Sequence, residues 1–183
     1  MQTNNPKTIL ITGATDGIGL AAAKQLLSQG HTVLLHGRSA NKMDNITPQL
    51  ASLNGEFETY LADFSNMKDV QKLANEVLNK HTHIDVLINN AGVLKAPKNI
   101  TEDGIDIRFA VNTLAPYLLT SILMPAFSSS SRIVNLSSAA QSSVNIQALT
   151  GQVLLSEMEA YAQSKLAITM WSKYFAESRS TQG

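Results

Sequence analysis

The chain has 183 residues, of which 44% are hydrophobic, so it can bury a sizeable core and is not intrinsically disordered. Lysine plus arginine and aspartate plus glutamate number 14 each, and this balance gives no support to a nucleic-acid partner or a membrane-surface partner. There is no cysteine, which excludes disulfides and thiolate metal sites, and the histidine spacing offers no metal pair, so we expect no metal.

Short apolar runs alternate with segments of helical periodicity along the chain. The predicted strands are Thr8–Thr12, Thr32–His36, Phe57–Leu61, Ile84–Asn89 and Arg132–Leu136. The predicted helices are Ile18–Gln29 ending at Gly30, Asn41–Leu53 kinked or split by Pro48, one capped by Ser65 and reaching Lys80, one from Thr101 towards Phe127 bent at Pro116, and one from Tyr161 onwards. This alternation predicts parallel β-α-β units in a single α/β domain over residues 1–183, with a doubly wound parallel sheet.

A glycine-rich loop, Thr12-Gly13-x-x-x-Gly17-x-Gly19, joins the first strand to the first helix. Glycine lets the backbone turn tightly and lets a pyrophosphate approach the amides at a helix N-terminus. The spacing differs from the common G-x-G-x-x-G fingerprint, and a loop that only packs helix on strand is the alternative. The residues expected to contact a dinucleotide here are Gly13, Thr15, Asp16, Gly17, Ile18 and Gly19.

The end of the second strand bears on cofactor choice. A carboxylate about 20 residues after the loop would bond the ribose 2′-hydroxyl of NAD, but this chain has Gly37-Arg38-Ser39 there. Arg38 can form a bidentate pair with a 2′-phosphate, so the sequence favours NADP(H) over NAD(H). The alternative is a solvated surface arginine, and the acidic Asp16 within the loop counts against an NADP(H) preference.

Three further motifs follow in order. Asn89-Asn90-Ala91-Gly92 comes after the fourth strand, Ser137-Ser138 after the fifth, and Tyr161-Ala-Gln-Ser-Lys165 places a tyrosine and a lysine on one helix face. With the glycine loop, this ordered set resembles the short-chain dehydrogenase/reductase family over nearly the whole chain. The resemblance implies a Rossmann-type, three-layer αβα fold. The long gap between Ser138 and Tyr161 resembles the retinol-dehydrogenase-like branch, and that segment could line a site for a bulky apolar carbonyl compound.

The resemblance also implies roles for residues near the cofactor. Asp63 would bond the adenine amino group, although an Asx-turn is an equally ordinary role for it. Asn90, Ala91 and Gly92 would let the backbone line the dinucleotide closely, and Asn89 would steady the sheet.

Four side chains would carry the chemistry. A tyrosine, with a reference pKa of about 10, is a poor base near neutrality, and a neighbouring ammonium stabilises a phenolate. By resemblance Tyr161 is the acid/base, and Lys165 assists it and binds the nicotinamide ribose. Ser138, with Ser137 as competitor, is the substrate-oxygen donor, and Asn112 holds a water in a proton relay. The sequence thus predicts an oxidoreductase interconverting an alcohol and a ketone or aldehyde. The alternative is a non-catalytic dinucleotide-binding module or a truncated remnant.

Further expectations concern the chain ends and assembly. Residues 1–6 lack a signal peptide's features and no apolar stretch could span a bilayer, so we expect a cytoplasmic protein with no membrane partner. The resembled family continues with further strands and pocket helices beyond Gly183. We therefore expect a C-terminally truncated chain with little or no turnover. The apolar surface of the last helix predicts a homo-oligomer, with the Asn112 and Tyr161 helices at the contact.

Overall fold

A computed structural model describes residues 5–180. Most of residues 1–6, in which no signal peptide is predicted, and Gly183 lie outside the described residues. The five strands of the described residues are β1 Thr8–Ile11, β2 Thr32–Gly37, β3 Phe57–Leu61, β4 Val86–Asn89 and β5 Arg132–Asn135. They form one sheet of order β3-β2-β1-β4-β5, and every neighbouring pair is parallel. The predicted doubly wound sheet is confirmed, with strand ends within two residues of the prediction.

Helices cover both faces of this sheet. The helical elements are α1 Gly17–Ser28, α2 Ala40–Leu50, α3 Met67–Lys80, α4 Ile107–Phe109, a π-helical turn Ala110–Leu114, α5 Ala115–Ile122, a 3₁₀ turn Met124–Ala126, α6 Ile146–Leu149 and α7 Glu157–Ser180. In the part of the chain that the structure describes, none of these helices combines the length and apolar character needed to cross a bilayer.

Alternate residues of β1 show why the fold has three layers. Leu10 packs into one core with residues of α3 and α5, while Ile9 and Ile11 pack into a second core with residues of α1 and α2. All three side chains are buried, as expected of a parallel strand covered on both faces. The three-layer αβα prediction is therefore confirmed.

Two predicted helix starts are wrong. Helix α3 is capped by Asn66, whose side chain accepts from the Lys68 amide at 2.9 Å, and not by Ser65. Thr101 does not open a long helix but accepts from the Gly104 amide in a turn, at 3.1 Å. Helix α4 begins six residues later, where the Asp106 carboxylate accepts from the Arg108 amide. In both cases a nearby Asx residue provides the cap, and a serine or threonine at the expected position does not.

The helix predicted to bend at Pro116 contains a π-helical turn just before it. Proline has no N–H, so Pro116 cannot donate to the carbonyl of Asn112, four residues earlier. The Ala115 amide bonds the Ala110 carbonyl, five residues back, as a π turn requires. The local departure from α-helix therefore lies at Asn112 itself, a predicted site residue.

The remaining differences lie at helix ends. Helix α2 is not split at Pro48 and ends at Leu50, three residues before the predicted end. Helix α7 begins at Glu157, one turn before Tyr161. The segment between β5 and α7 contains the short helix α6, which the sequence did not indicate, capped by the side chain of Asn145.

Candidate active site

A cleft of about 420 Å³ lies at the carboxyl ends of β1, β2 and β4. Parallel sheets bind ligands at this edge, where the strand order reverses. The cleft is lined by the glycine loop, by the segments after β2, β3 and β4, and by Val111 of the π-helical turn. The predicted cofactor residues among the lining are Gly13, Thr15, Asp16, Arg38, Asp63, Ala91 and Gly92. Gly17, Ile18 and Gly19 form the first turn of α1 beside it.

The glycine loop and the Asn90 segment are packed too closely for side chains at two glycines. A Cβ on Gly13, whose φ is +66°, would lie 2.9 Å from the Ala91 Cα. A Cβ on Gly19 would overlap the Gly13 carbonyl and lie 2.5 Å from the Asn90 Nδ2. That Nδ2 donates to the carbonyls of Thr12 and Gly13, at 2.9 and 3.0 Å. The Asn90 side chain therefore fixes the backbone of the glycine loop to the segment after β4.

The first turn of α1 can receive an anion. Asp16 is the N-cap residue by backbone geometry, but its side chain makes no capping hydrogen bond. Its carboxylate instead pairs with the Lys42 ammonium at 2.6 Å, and both side chains are more than half exposed. The first amides of a helix have no intrahelical acceptor, so here they remain available to a ligand phosphate.

Lys42 is a further cleft residue, which the sequence did not indicate. It lines the cleft with Arg38 and Ser39, and the Ser39 side chain caps α2 by accepting from the Lys42 amide. The pairing with Lys42 also offsets the Asp16 charge that counted against NADP(H). Its place in the first turn of α2, directly after Gly37-Arg38-Ser39, is the signal that could have identified it.

Asp63 makes the Asx-turn named as its alternative role. Its Oδ1 accepts from the Ser65 amide at 2.9 Å, and its own amide donates to Asp69 Oδ2 at 3.2 Å. The exposed Asp63 also lines the cleft. A turn residue can still present its second carboxylate oxygen to a ligand, so the two roles are compatible.

His36 lies buried under the glycine loop, and the sequence assigned it no role there. Its Nδ1 accepts from the Gly13 amide at 3.3 Å, and its Nε2 lies 3.0 Å from the Ala62 carbonyl. The ring stacks on Phe64 with centroids 4.1 Å apart. Burial lowers the pKa of His36 to about 4, so the ring is neutral near pH 7 and supports the loop as a hydrogen-bond acceptor.

Tyr161 and Lys165 are brought together on α7, as their spacing predicts. The Lys165 Nζ lies 5.9 Å from the centroid of the Tyr161 ring and donates to the Leu136 carbonyl at 2.8 Å. Lys165 is only 6% exposed, and desolvation lowers its pKa below the ordinary lysine value. Within residues 5–180 the half-buried Tyr161 phenol has no hydrogen-bond partner, so its oxygen can meet a ligand.

Asn112 reaches the same place from the π-helical turn. Its Oδ1 accepts from the Val93 amide at 2.7 Å, and its Nδ2 donates to the Val93 carbonyl and to Ser164 Oγ. A Cβ built on Gly92 would lie 3.3 Å from the Asn112 Oδ1 and 3.4 Å from the Lys165 Nζ. Gly92 therefore marks the point where the β4 segment, the Asn112 turn and α7 converge.

The two serines after β5 differ in their hydrogen bonds. The Ser137 hydroxyl donates to the Lys165 carbonyl at 2.9 Å and lies 2.8 Å from Thr169 Oγ1. Ser138 Oγ accepts from the Ala140 amide at 3.2 Å, and within residues 5–180 its hydroxyl hydrogen has no acceptor. Ser137 thus binds α7, while Ser138 keeps a donor for a ligand.

Comparisons with known proteins bear on the family of the chain. The family model described as short chain dehydrogenase matches residues 7–183. Retinol dehydrogenase 13 of Homo sapiens is 35% identical over 97% of this chain and 55% of its own length. Polyprenol dehydrogenase of Homo sapiens is 30% identical over 97% of this chain and 57% of its own length. The chain thus spans about half the length of the curated relatives it matches.

Solved structures are also similar. A metagenomic short-chain oxidoreductase in complex with NADP superposes with a TM-score of 0.74 at 31% identity, over 94% of this chain and 76% of that one. An uncharacterised protein from Mycobacterium paratuberculosis superposes with a TM-score of 0.86 at 29% identity, over 100% of this chain and 66% of that one.

Proposed function

Because this chain belongs to the short chain dehydrogenase family, we propose that it is an NADP(H)-dependent oxidoreductase interconverting an alcohol and a ketone or aldehyde. The observation that carries the proposal is that Lys165 and Asn112 meet at Gly92, which lines the cleft, with the Tyr161 ring centroid 5.9 Å from the Lys165 Nζ. A tyrosine next to a buried lysine at the carboxyl edge of a parallel sheet suits proton transfer to a substrate oxygen.

The cleft has the features that a dinucleotide needs. The glycine loop and the first amides of α1 would bind the pyrophosphate, and Asp63 would accept a hydrogen bond from the adenine amino group. Arg38 and Lys42 would form ion pairs with a 2′-phosphate. The Lys42 ammonium would then be shared between the phosphate and the Asp16 carboxylate. Lys165 would bind the nicotinamide ribose. When bound, NADP(H) supplies or accepts the hydride, and the protein positions and polarises the substrate.

The proton is moved by the chain's own side chains. In carbonyl reduction the Ser138 hydroxyl would donate a hydrogen bond to the substrate oxygen, and the Tyr161 phenol would give that oxygen a proton. The Lys165 ammonium, within a turn of the ring, would stabilise the resulting phenolate. In alcohol oxidation the same groups work in reverse, with the phenolate as base.

Lys165 and Asn112 would then restore the phenol. Burial lowers the Lys165 pKa, which makes its ammonium a readier proton donor towards the phenolate. Asn112 lies beside it across Gly92 and would hold the water that returns the proton. Pro116 cannot donate to the backbone carbonyl of Asn112, which makes that carbonyl a suitable acceptor for such a water.

An apolar substrate is favoured by the segment between β5 and α7. The large apolar side chains exposed near the start of α7 are Ile146, Val153, Leu154 and Met158. The Asn145 amide donates to the buried Gln163 Oε1 at 2.8 Å, which ties this segment to α7 two residues after Tyr161. A bulky apolar alcohol or carbonyl compound would contact these side chains.

The test combines cofactor titration with a turnover assay. NADPH should bind at least several-fold tighter than NADH, and NADPH oxidation should be accelerated by bulky apolar ketones or aldehydes more than by small polar ones. Equal affinity for the two cofactors would contradict the NADP(H) preference. Tight NADPH binding without turnover on any carbonyl compound would favour the non-catalytic binding module or the truncated remnant instead.

We also propose that the protein is a homo-oligomer built through α5 and α7. Met170 and Tyr174 are 57% and 72% exposed on α7. Tyr117 of α5 meets Trp171 edge-on, with centroids 5.7 Å apart, so the apolar surface continues across both helices. Sedimentation should show a dimer or larger assembly, and a monomer mass at every concentration would contradict this proposal.

A further inference from the structure

Arg108 is a charged side chain with no solvent exposure. Every nitrogen of its guanidinium that can donate is engaged. Nε donates to the Leu94 carbonyl at 2.8 Å, and Nη1 bonds both Asp106 oxygens at 3.2 and 3.3 Å. Nη2 donates to Asn99 Oδ1 at 2.9 Å and forms an ion pair with Glu157 Oε1 at 3.0 Å. A buried cation is costly unless it is paired in this way.

These partners lie on separate segments. Leu94 and Asn99 belong to the connection between β4 and α4, which leaves the cleft at Val93. Asp106 is the cap of α4, and Glu157 is the first residue of α7. The single side chain of Arg108 therefore joins the loop at the cleft, the α4 segment and the start of the helix that carries Tyr161.

Tyr161 lies on α7 between two residues, Glu157 and Ser164, that contact the segment from Arg108 to Thr113. Arg108 is four residues before Asn112, and Glu157 is four residues before Tyr161. One contact between the segments is Arg108–Glu157. A second is at Ser164, whose Oγ accepts from Asn112 at 2.9 Å and whose carbonyl accepts from Thr113 Oγ1 at 2.8 Å. At about 1.5 Å rise per residue, Tyr161 lies roughly 6 Å along α7 from Glu157 and roughly 4.5 Å from Ser164.

We propose that Arg108, through Glu157, is a positioning residue for the Tyr161 phenol; this rests on the proposed function. Ala160 is buried and Ser164 is hydrogen-bonded, so both hold α7 from the level of Tyr161 onwards, whereas Glu157 lies one turn earlier. The Arg108–Glu157 contact fixes the turn before Tyr161 and so sets where the phenol meets a substrate oxygen. Small displacements of a catalytic group can cost about 10²-fold in rate, so this contact acts on chemistry more than on cofactor binding.

Glu157 is the partner to change. Replacing Arg108 would leave the Asp106 carboxylate buried without its cation and risks unfolding, whereas the Glu157 side chain is 46% exposed. After Glu157→Ala, Asp106 still pairs with Arg108. Glu159→Ala is the matched control, because it removes an acid from the same first turn of α7 and lies outside the Arg108 contacts. Glu157→Gln keeps an oxygen that can accept from Nη2.

Turnover should separate these variants. Glu157→Ala should lower kcat about 10- to 100-fold with unchanged NADPH affinity, while Glu159→Ala leaves both unchanged and Glu157→Gln retains most of the turnover. In a Tyr161→Phe background, Glu157→Ala should cause no further loss, because the residue through which it acts is gone. An equal loss in both backgrounds, or the same loss in Glu159→Ala, would overturn the proposal.

A second readout needs no turnover. The four tyrosines are replaced by 3-fluorotyrosine, and the ¹⁹F line of Tyr161 is identified by its loss in Tyr161→Phe. Glu157→Ala should shift or broaden that line alone, with and without NADP⁺, and Glu159→Ala should leave all four lines unchanged. An unmoved Tyr161 line in Glu157→Ala would overturn the proposal. A protein with no NADPH oxidation would contradict the proposed function, and the ¹⁹F spectra would still decide the role of Arg108.

Discussion

The glycine-loop end and the tyrosine end of this site are built in different ways. At the glycine-loop end, Gly13 and Gly19 pack against neighbouring backbone with no room for a Cβ, and the contacts come from the first strands and their connections. At the tyrosine end, Asn112, Ser164 and Arg108 join through side-chain hydrogen bonds and ion pairs between distant parts of the chain. The first end depends on backbone shape, and the second depends on side-chain chemistry.

This difference implies that binding and chemistry can be impaired separately. Changes of shape at the glycine loop should weaken cofactor binding, because the backbone itself forms the binding surface there. Removal of a functional group at the tyrosine end should slow the reaction with little effect on affinity.

The largest expected effect is at Tyr161. Tyr161→Phe removes the phenolic proton and should lower kcat by roughly 10²- to 10⁴-fold, the usual contribution of general acid–base catalysis. The NADPH dissociation constant should change by less than about twofold, because the ring and the Lys165 contacts remain. NADPH oxidation and fluorescence titration measure the two quantities. Near-normal kcat in this variant would place the acid/base elsewhere.

Acidification should lower the free energy of unfolding through His36, which is buried under the glycine loop. Its pKa is near 6.5 when unfolded and about 4 when folded, so between these values the unfolded state binds more protons. Stability should therefore fall as pH decreases from 6.5 to 4, by up to roughly 3 kcal/mol from this group. His36→Asn removes the imidazole and leaves every carboxylate in place, so the two proteins differ at this one group. Denaturant unfolding at several pH values should show a difference between the two proteins that varies with pH, and parallel curves would count against the buried neutral ring.

Gly19→Ala should distort the glycine loop and weaken NADPH binding. The added methyl would overlap the Gly13 carbonyl and crowd Asn90 Nδ2, so backbone must move. Overpacking of this kind costs about 1–3 kcal/mol, and NADPH affinity should fall roughly 10-fold with it. Ala21→Ser, on the exposed side of the same helix, is the control and should leave both quantities unchanged. Unaltered affinity in Gly19→Ala would mean that the loop does not cradle the pyrophosphate.

The smallest expected effect is cofactor preference. Arg38→Ala should reduce the ratio of NADPH to NADH affinity several-fold, because the charge-assisted pair with the 2′-phosphate is lost. Lys42→Ala should reduce it less, because Lys42 is shared with Asp16. Lys72, on the exposed face of α3, provides a charge-matched control in Lys72→Ala. The same ratio in all these proteins would make Arg38 a solvated surface residue.

The same contrast explains which features could be predicted from sequence. The strands, the glycine loop and the Tyr161–Lys165 spacing depend on residues close together in the chain, so short-range patterns predict them. The Asn66 cap lies one residue from the predicted Ser65, because either side chain can cap a helix and only the packing decides.

Features of the tyrosine end were missed because they depend on long-range contacts. Arg108 meets Glu157 across 49 positions, and nothing near either residue indicates the other. The π-helical turn at Asn112 had a local cause in Pro116, but a proline bend does not predict which hydrogen bonds replace the lost one.

Two residues at the glycine-loop end also depend on long-range contacts. Lys42 and His36 are cleft residues because neighbouring strands bring the glycine loop and the end of β2 together.

A crystal structure of the complex with NADP⁺ tests most directly whether one cofactor spans both ends. The pyrophosphate should lie at the amides of α1, the 2′-phosphate within hydrogen-bond distance of Arg38, and the nicotinamide ribose within hydrogen-bond distance of the Lys165 Nζ, with the ring open to Tyr161 and Ser138. Electron density for NADP⁺ away from Gly13–Gly19, or with the nicotinamide turned away from Tyr161, would contradict the account.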